Sequence, residues 1–249
     1  MTPRLWLLDL EALGGVLLAP GVAGAVASDS ELSSTVRATA SDQARNRLAT
    51  RIALRLLLRD AGADIPLKAE LPLTPEGKPH LAGGEPAFSV SHSGNRAVIV
   101  LSACGPVGVD LETERLVDFG QARRALMLAA ADVLLGEFAA GVGDNARLLA
   151  CWTCLEALAK ARGCGIGRIL TEIGVTAAGV RTHRPEHVAA LTRALLAQSG
   201  LEPRPLAMPI GLYAAAAAPA GIVPATFAAE DFDIAQCERL IEVLGNATP

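Results

Sequence analysis

The sequence predicts an α+β fold, and three observations carry that expectation. Segments of helical period and segments of strand alternation are mixed in both halves of the 249 residues, without the strict strand–helix–strand repetition of a parallel doubly wound sheet. Hydrophobic residues make up 51% of the chain, enough for a sizeable core without disulfides or structural metals. Aromatic residues are only 3%, so that core is aliphatic, built from Ala, Leu and Val.

Taken in order, Leu5-Trp6-Leu7-Leu8-Asp9-Leu10 opens the chain as a strand. Ser41 to Leu58 reads as a helix that Ser41 or Asp42 can cap, with Leu48, Ile52 and Leu56 at helical spacing. Its polar positions are basic: Arg45, Arg47, Arg51, Arg55 and Arg59. Pro72 to Pro79 is a turn-rich connection containing Gly77-Lys78-Pro79. Ala87 to Ser91 alternates as a strand, Ser93-Gly94-Asn95 turns, and Ala97 to Ser102 returns as a buried strand. After Gly105-Pro106 comes a strand bearing Asp110 and Glu112. Gln121 to Ala140 and Arg147 to Ala161 are helical, the second stopped near Gly163 and Gly165. Ile169 to Val175 and Ile210 to Ala218 read as further strands, with His187 to Gln198 a helix between them and Ala228 to Leu244 a closing amphipathic helix. No low-complexity linker or strong internal repeat interrupts this order.

Composition excludes several classes of function. The net charge of −4 gives no global attraction to nucleic acid, so any anion site must be a local cluster. Lysine survives only at Lys68, Lys78 and Lys160, which singles out each of them. Cys104, Cys151, Cys154, Cys164 and Cys237 are an odd set without framework spacing, as expected in a reducing cytoplasm. Cys151-x-x-Cys154 lacks a second ligand pair and falls inside a helix, so it reads as packing. Ala12 to Ala27 is uncharged, but Asp9 and Glu11 stand where an export signal needs positive charge. Leu206 to Ala229 is broken by Pro209, Pro219 and Pro224, short of a membrane span.

Two short stretches carry chemistry. In Gly108-Val109-Asp110-Leu111-Glu112, carboxylates at spacing two share one face of a strand. In the stretch from Trp152 to Lys160, an aromatic, the carboxylate of Glu156 and the amine of Lys160 recur every four residues, one stripe of a helix. If strand and helix pack together, Asp110, Glu112 and Glu156 converge as three hard oxygen ligands beside Lys160, the composition of a Mg²⁺ site that holds phosphate oxygens. The competing reading of Lys160 is a surface pair with Glu156.

With Ser91-His92-Ser93-Gly94 and Gly77-Lys78-Pro79, these stretches give the chain a resemblance to the 4′-phosphopantetheinyl transferases, specifically the longer surfactin-synthetase-activating type. The resemblance runs from about Arg45 to about Gly165, and the strand near Tyr213 also fits. It implies a pseudo-twofold pair of packed α+β halves, each a small antiparallel sheet with a long helix, and coenzyme A bound in the cleft between them. The expected divisions are 1–106, holding the nucleotide end of coenzyme A, 107–225, with the Mg²⁺ and catalytic residues, and 226–249, a closing helix and tail.

The implied reaction moves phosphopantetheine from coenzyme A to a serine of an apo acyl or peptidyl carrier protein and releases 3′,5′-ADP. In it Asp110, Glu112 and Glu156 hold Mg²⁺, Glu156 also assists deprotonation of the carrier serine, and Lys160 stabilises the transferring phosphoryl group. His92 faces the 3′-phosphate of coenzyme A, with Lys78, Arg45 and Arg47 completing an anion pocket and Lys78 and Pro79 holding the nucleotide. A solvated arginine face explains Arg51, Arg55 and Arg59 equally well. Ser91 and Ser93 either donate to phosphate or close the turn, and Trp152 packs rather than binds. The implied setting is a cytoplasmic monomer.

One departure stands out: the family's lysine before the catalytic glutamate is Leu155 here, and Gly163-Cys164-Gly165 follows where a basic residue is common. The expectation is a site short of one cation, with Arg162 a possible substitute. Leu155 motivates an alternative, a degenerate relative that binds coenzyme A or a carrier protein without efficient transfer. A different Mg²⁺ phosphotransferase or nuclease is disfavoured because neither a Walker loop nor a basic nucleic-acid face accompanies the carboxylates.

Overall fold

The computed structural model describes residues 3–37, 41–175, 184–222 and 229–246. Strand β1 (Arg4–Asp9) is followed by helices α1 (Leu10–Leu17), α2 (Pro20–Val26), α3 (Asp29–Arg37) and the long α4 (Asp42–Asp60). Strands β2 (Ala87–Ser93) and β3 (Arg96–Ser102) form a hairpin, and β4 (Gly108–Thr113) leads to α5 (Gln121–Leu135), which ends in a 3-10 turn (Gly136–Ala139). Then come α6 (Asp144–Arg162), α7 (Ile166–Glu172), α8 (Pro185–Ser199), β5 (Leu201–Pro205), β6 (Leu212–Pro219), β7 (Glu230–Phe232) and α9 (Ile234–Asn246).

Among the described residues the strands make two sheets, and the mixed α+β architecture is the one expected. The first has the order β2-β3-β1-β7, antiparallel except for the parallel β1–β7 pair. The second, β4-β6-β5, is antiparallel throughout. In both, the last of three consecutive strands (β3, β6) sits between the other two. Alternation along the strands assigns the faces. Trp6, Leu8, Ile99 and Phe88 point into a core with α1, α4 and α9. Leu5, Leu7, Val98 and Val100 point the other way, onto Val109, Leu111, Ala214 and Ala216 of the second sheet. The opposite face of that sheet, through Ala215 and Ala217, meets α5 and α6. The layers therefore run helix, sheet, sheet, helix.

Local chemistry explains several element ends. Asp9, the last residue of β1, accepts hydrogen bonds from the backbone N–H groups of Glu11 and Ala12 and so starts α1. Ser28 and Glu31 cap each other's N–H groups before α3. Ser41 caps α4, one of the two candidates. Gly163, at φ 65, closes α6 in the left-handed conformation.

Several expectations fail for identifiable reasons. Ile169 to Val175 is not a strand: Ile166–Glu172 is a short helix, because an apolar run this brief carries no decisive period. The closing segment contains β7 before α9 rather than one helix. Arg55 is not on a solvated face. Only 1% exposed, it donates to the Val26 and Ala69 carbonyls and pairs with Glu31 at 3.0 Å, so α4 carries a cation into the interior. Pro224, Ala228 and the 225/226 division lie outside the described residues. Among the described residues no single helix is long and apolar enough to cross a membrane; α5 with its 3-10 turn and α6 meet that length and composition only together, bent by 103°.

Candidate functional site

The two chemistry-bearing elements meet because of one glycine. A Cβ on Gly108 would stand 2.0 Å from the Ala157 carbonyl oxygen and 2.5 Å from the Ala161 nitrogen, so β4 lies directly on the backbone of α6. Two residues further along the same face is Asp110, and from α6 Lys160 reaches it. The Lys160 ammonium donates to Asp110 Oδ1 at 2.8 Å and to the Val109 carbonyl at 3.0 Å. Lys160 is thus bound across to β4 and is not confined to a surface pair with Glu156. Ser91, on the neighbouring strand β2, donates its hydroxyl to the same Asp110 Oδ1 at 2.8 Å.

Asp110 is buried, and its other oxygen, Oδ2, has no hydrogen-bond partner. A buried carboxylate oxygen left without a donor is costly, and a hard cation would satisfy it. Glu156 reports the same deficit of positive charge. Burial raises its pKa, the negative charge of Asp110 raises it further, Lys160 partly offsets this, and Glu112 adds to it. These features fit a divalent cation, although the full convergence expected of the three carboxylates is not present. Glu112 instead pairs with Arg115 at 3.3 Å, and among the described residues no group of three His, Cys, Asp or Glu side chains is assembled for a metal. The physical reason is repulsion: carboxylates brought together take whatever cations are near, here Lys160 and Arg115.

Of the predicted anion residues, Arg45 and Arg47 share cavities with His92, whereas Lys78 lies apart from it. On β2, Phe88, Val90 and His92 face the α4 side, and Arg45 and Arg47 come from α4 itself. His92 and Arg45 line a cavity of about 900 Å³, and His92 and Arg47 a smaller one of about 170 Å³. Pro79 lines the smaller cavity and also a third, of about 270 Å³, which contains Lys78 and Lys160.

Lys78 does not project freely: its ammonium donates to the Val107 carbonyl at 3.0 Å and the Lys160 carbonyl at 2.7 Å. Burial, followed by the charge of Lys160, pushes its pKa down to about 8. Ser93 shares a hydrogen bond with Thr113 Oγ1 and accepts from the Thr113 N–H at 3.0 Å, bridging β2 to β4. Trp152 packs on Phe119 with ring centroids 6.0 Å apart.

Leu155 corrects an expectation. It is wholly buried in the α5–α6 core, so the position does not stand at the site lacking a cation. Arg162 is no substitute there, being paired with Glu172.

Sequence reasoning missed the seam that holds Asp110 in place. The Ser89 hydroxyl accepts the Val109 N–H at 3.1 Å, Ser91 bonds Asp110 and Ser93 bonds Thr113. Three serines at spacing two along β2 therefore bind the edge of β4. The signal was present in Ser89-Val90-Ser91-His92-Ser93, an alternation of hydroxyls on one face.

Comparison with known proteins decides the family. No family model matches the sequence. The Synechocystis protein slr0495, assigned as a 4′-phosphopantetheinyl transferase, is 30% identical over 174 residues, 69% of each chain. The chain belongs to the 4′-phosphopantetheinyl transferase family. The 4′-phosphopantetheinyl transferases AcpT of Salmonella typhi and Salmonella typhimurium are 35% and 34% identical over 131 residues, covering 50% of this chain and 64% of theirs. The protein is accordingly a transferase of this kind, and its general chemistry is phosphopantetheine transfer.

Proposed function

We propose that the protein transfers 4′-phosphopantetheine from coenzyme A to a serine of an apo acyl or peptidyl carrier protein, releases 3′,5′-ADP, and requires Mg²⁺ held by Asp110, Glu112 and Glu156. The observation that carries this reading is the meeting of Asp110 with Lys160 across β4 and α6, with Asp110 Oδ2 buried and unpartnered beside the charge-starved Glu156. When bound, the ion would neutralise pyrophosphate charge that otherwise repels an incoming nucleophile.

The chain's own residues account for the remaining steps. Glu156, whose affinity for a proton is raised by burial and by Asp110, is suited to receive the proton of the carrier serine hydroxyl. The serine oxygen then forms its bond to the phosphorus bearing the pantetheine arm. The bond from that phosphorus to the bridging pyrophosphate oxygen breaks, and 3′,5′-ADP leaves with the electron pair. Lys160 has three N–H donors, two of them used on β4, and the third is available to the phosphoryl oxygens. His92, Arg45 and Arg47 hold the 3′-phosphate end, and Pro79, which borders the cavities of both His92 and Lys160, lies between the two ends of the substrate.

The reading as the long, surfactin-synthetase-activating type, with two related halves meeting near residues 106–107, is supported by the strand order, in which β1, β2, β3 and β4, β5, β6 follow the same pattern. We place the reaction in the cytoplasm; no disulfide joins the cysteines among the described residues. Mass spectrometry of a panel of apo carrier proteins incubated with the protein, coenzyme A and Mg²⁺ tests the function. A gain of one phosphopantetheine on any carrier, lost on chelation, is the expected result; no gain on any of them overturns it.

A further inference from the structure

We propose that Lys78 is a positioning residue, a cationic clasp that fixes the start of β4 against the end of α6 and so sets the distance at which Asp110 meets Lys160, rather than a ligand of the nucleotide. The proposal rests on the transfer reaction proposed above and assigns Lys78 a role within it.

The geometry is specific. The Val107 carbonyl lies immediately before Gly108, the residue whose missing side chain lets β4 touch α6. The Lys160 carbonyl lies in the last turn of α6, where it also accepts the Gly163 N–H at 3.2 Å and where the helix end carries partial negative charge. One ammonium therefore grips both elements, on the backbone of the residue whose side chain binds Asp110. Lys160 closes the arrangement from the other direction, its own ammonium on Val109 and Asp110. The two lysines cross like staples, each donating to the element that bears Asp110.

The segment that delivers Lys78 is itself constrained. Leu73 and Pro79 form an isolated antiparallel bridge, the Thr74 N–H donates to the Lys78 carbonyl at 2.8 Å, and the Lys78 N–H donates to Thr74 Oγ1 at 3.2 Å. A tight turn thus aims the side chain inward. A half-buried ammonium committed to carbonyls of two different elements holds their backbones at a fixed separation.

The test separates the two roles by kinetics. Lys78→Met should lower kcat by about tenfold or more while changing KM for coenzyme A by less than about threefold, because what it disturbs is the reacting geometry and not uniform binding. It should discriminate coenzyme A from dephospho-coenzyme A as sharply as wild type, whereas His92→Ala should lose that discrimination. Lys78→Gln, which keeps two N–H donors on a shorter stem, should recover part of kcat, and it serves as the folded variant if Lys78→Met does not fold. In the protein without substrate, hydrogen exchange of the backbone over 107–110 and 159–163 should accelerate in either variant. A tenfold rise in KM with loss of 3′-phosphate discrimination, on the order expected for a lost charge-assisted contact, would overturn the clasp. So would unchanged exchange in both variants. Should wild type transfer nothing to any carrier, the reaction reading fails, and the exchange result alone still decides whether the clasp exists.

Discussion

Glu156 and Leu155 are neighbours on α6 with opposite environments, and each yields a prediction about what its side chain tolerates. Burial, and after it the charge of Asp110, disfavours the ionised form of Glu156 and raises its pKa. A raised carboxyl pKa means that the folded state binds more protons than the unfolded state above the usual carboxylate range, so stability is lost as pH rises through that window. Glu156→Gln removes the penalty. It should melt higher than wild type at neutral pH without substrate, while cutting transfer by at least roughly a hundredfold, as expected on losing the group proposed to hold the ion and accept the proton. Thermal melts beside a transfer assay check both halves; an unchanged or lower melting point would remove the electrostatic account of the residue. Leu155 is 0% exposed in an apolar cluster. Leu155→Lys should destabilise the fold by roughly 3–5 kcal/mol by burying a charge with no partner. Urea titration measures it, and a gain in affinity for coenzyme A without destabilisation would contradict the packing described.

At the scale of elements, the contact between β4 and α6 depends on the absence of a side chain. Gly108→Ala places a methyl group where the Ala157 carbonyl and Ala161 nitrogen lie, so strand and helix must separate. The cost should be ~1–3 kcal/mol, typical of overpacking. Because the Lys160–Asp110 bond spans the same contact, kcat should fall more than stability alone explains, which is read at a temperature where the variant remains folded.

This contact also shows what was legible in sequence. The helix was legible because Trp152, Glu156 and Lys160 recur every four residues within a long helical stretch, and the strand bearing Asp110 and Glu112 because Gly105-Pro106 bounds it. What the pattern could not supply was the pairing: Glu112 with Arg115, or Lys160 with Asp110 rather than Glu156. Helices α1 and α2 escaped notice because Leu10 to Ala27 is rich in Gly and Ala, which leave only Leu10, Leu13 and Leu17 to mark the buried stripe of α1. Strand β5 escaped because Leu-Glu-Pro-Arg-Pro reads as a breaker, and proline is tolerated in a strand only at an edge, a property of the sheet and not of the segment.

For the molecule as a whole, Lys78 couples the loop between α4 and β2 to the second sheet, and its lowered pKa ties that coupling to pH. With a folded value of about 8 against 10.5 as an ordinary lysine, the unfolded chain binds more protons between these values, so stability contributed here rises with pH across that interval. The neutral amine keeps two hydrogens for its two carbonyls, so the clasp survives the loss of charge. The difference in melting temperature between wild type and Lys78→Met should therefore shift in favour of wild type on going from about pH 7.5 to about pH 9.5. A difference independent of pH would mean that the amine titrates normally.

Among the described residues, each of the four outer strands is closed to further pairing in its own way. An uncovered strand is a template on which a second molecule can add its own, the first step toward fibrous association. The serines of β2 occupy the flank of β4, so those two strands cover each other. Strand β7 offers only three residues, and β5 carries Pro203 and Pro205, which lack the N–H that a newcomer would need. The two prolines thus protect solubility, quite apart from catalysis. Replacing both with threonine should leave the ladder to β6 and the transfer rate intact, yet make light scattering grow with protein concentration and time; a variant that stays monodisperse would show that β5 was never the vulnerable flank.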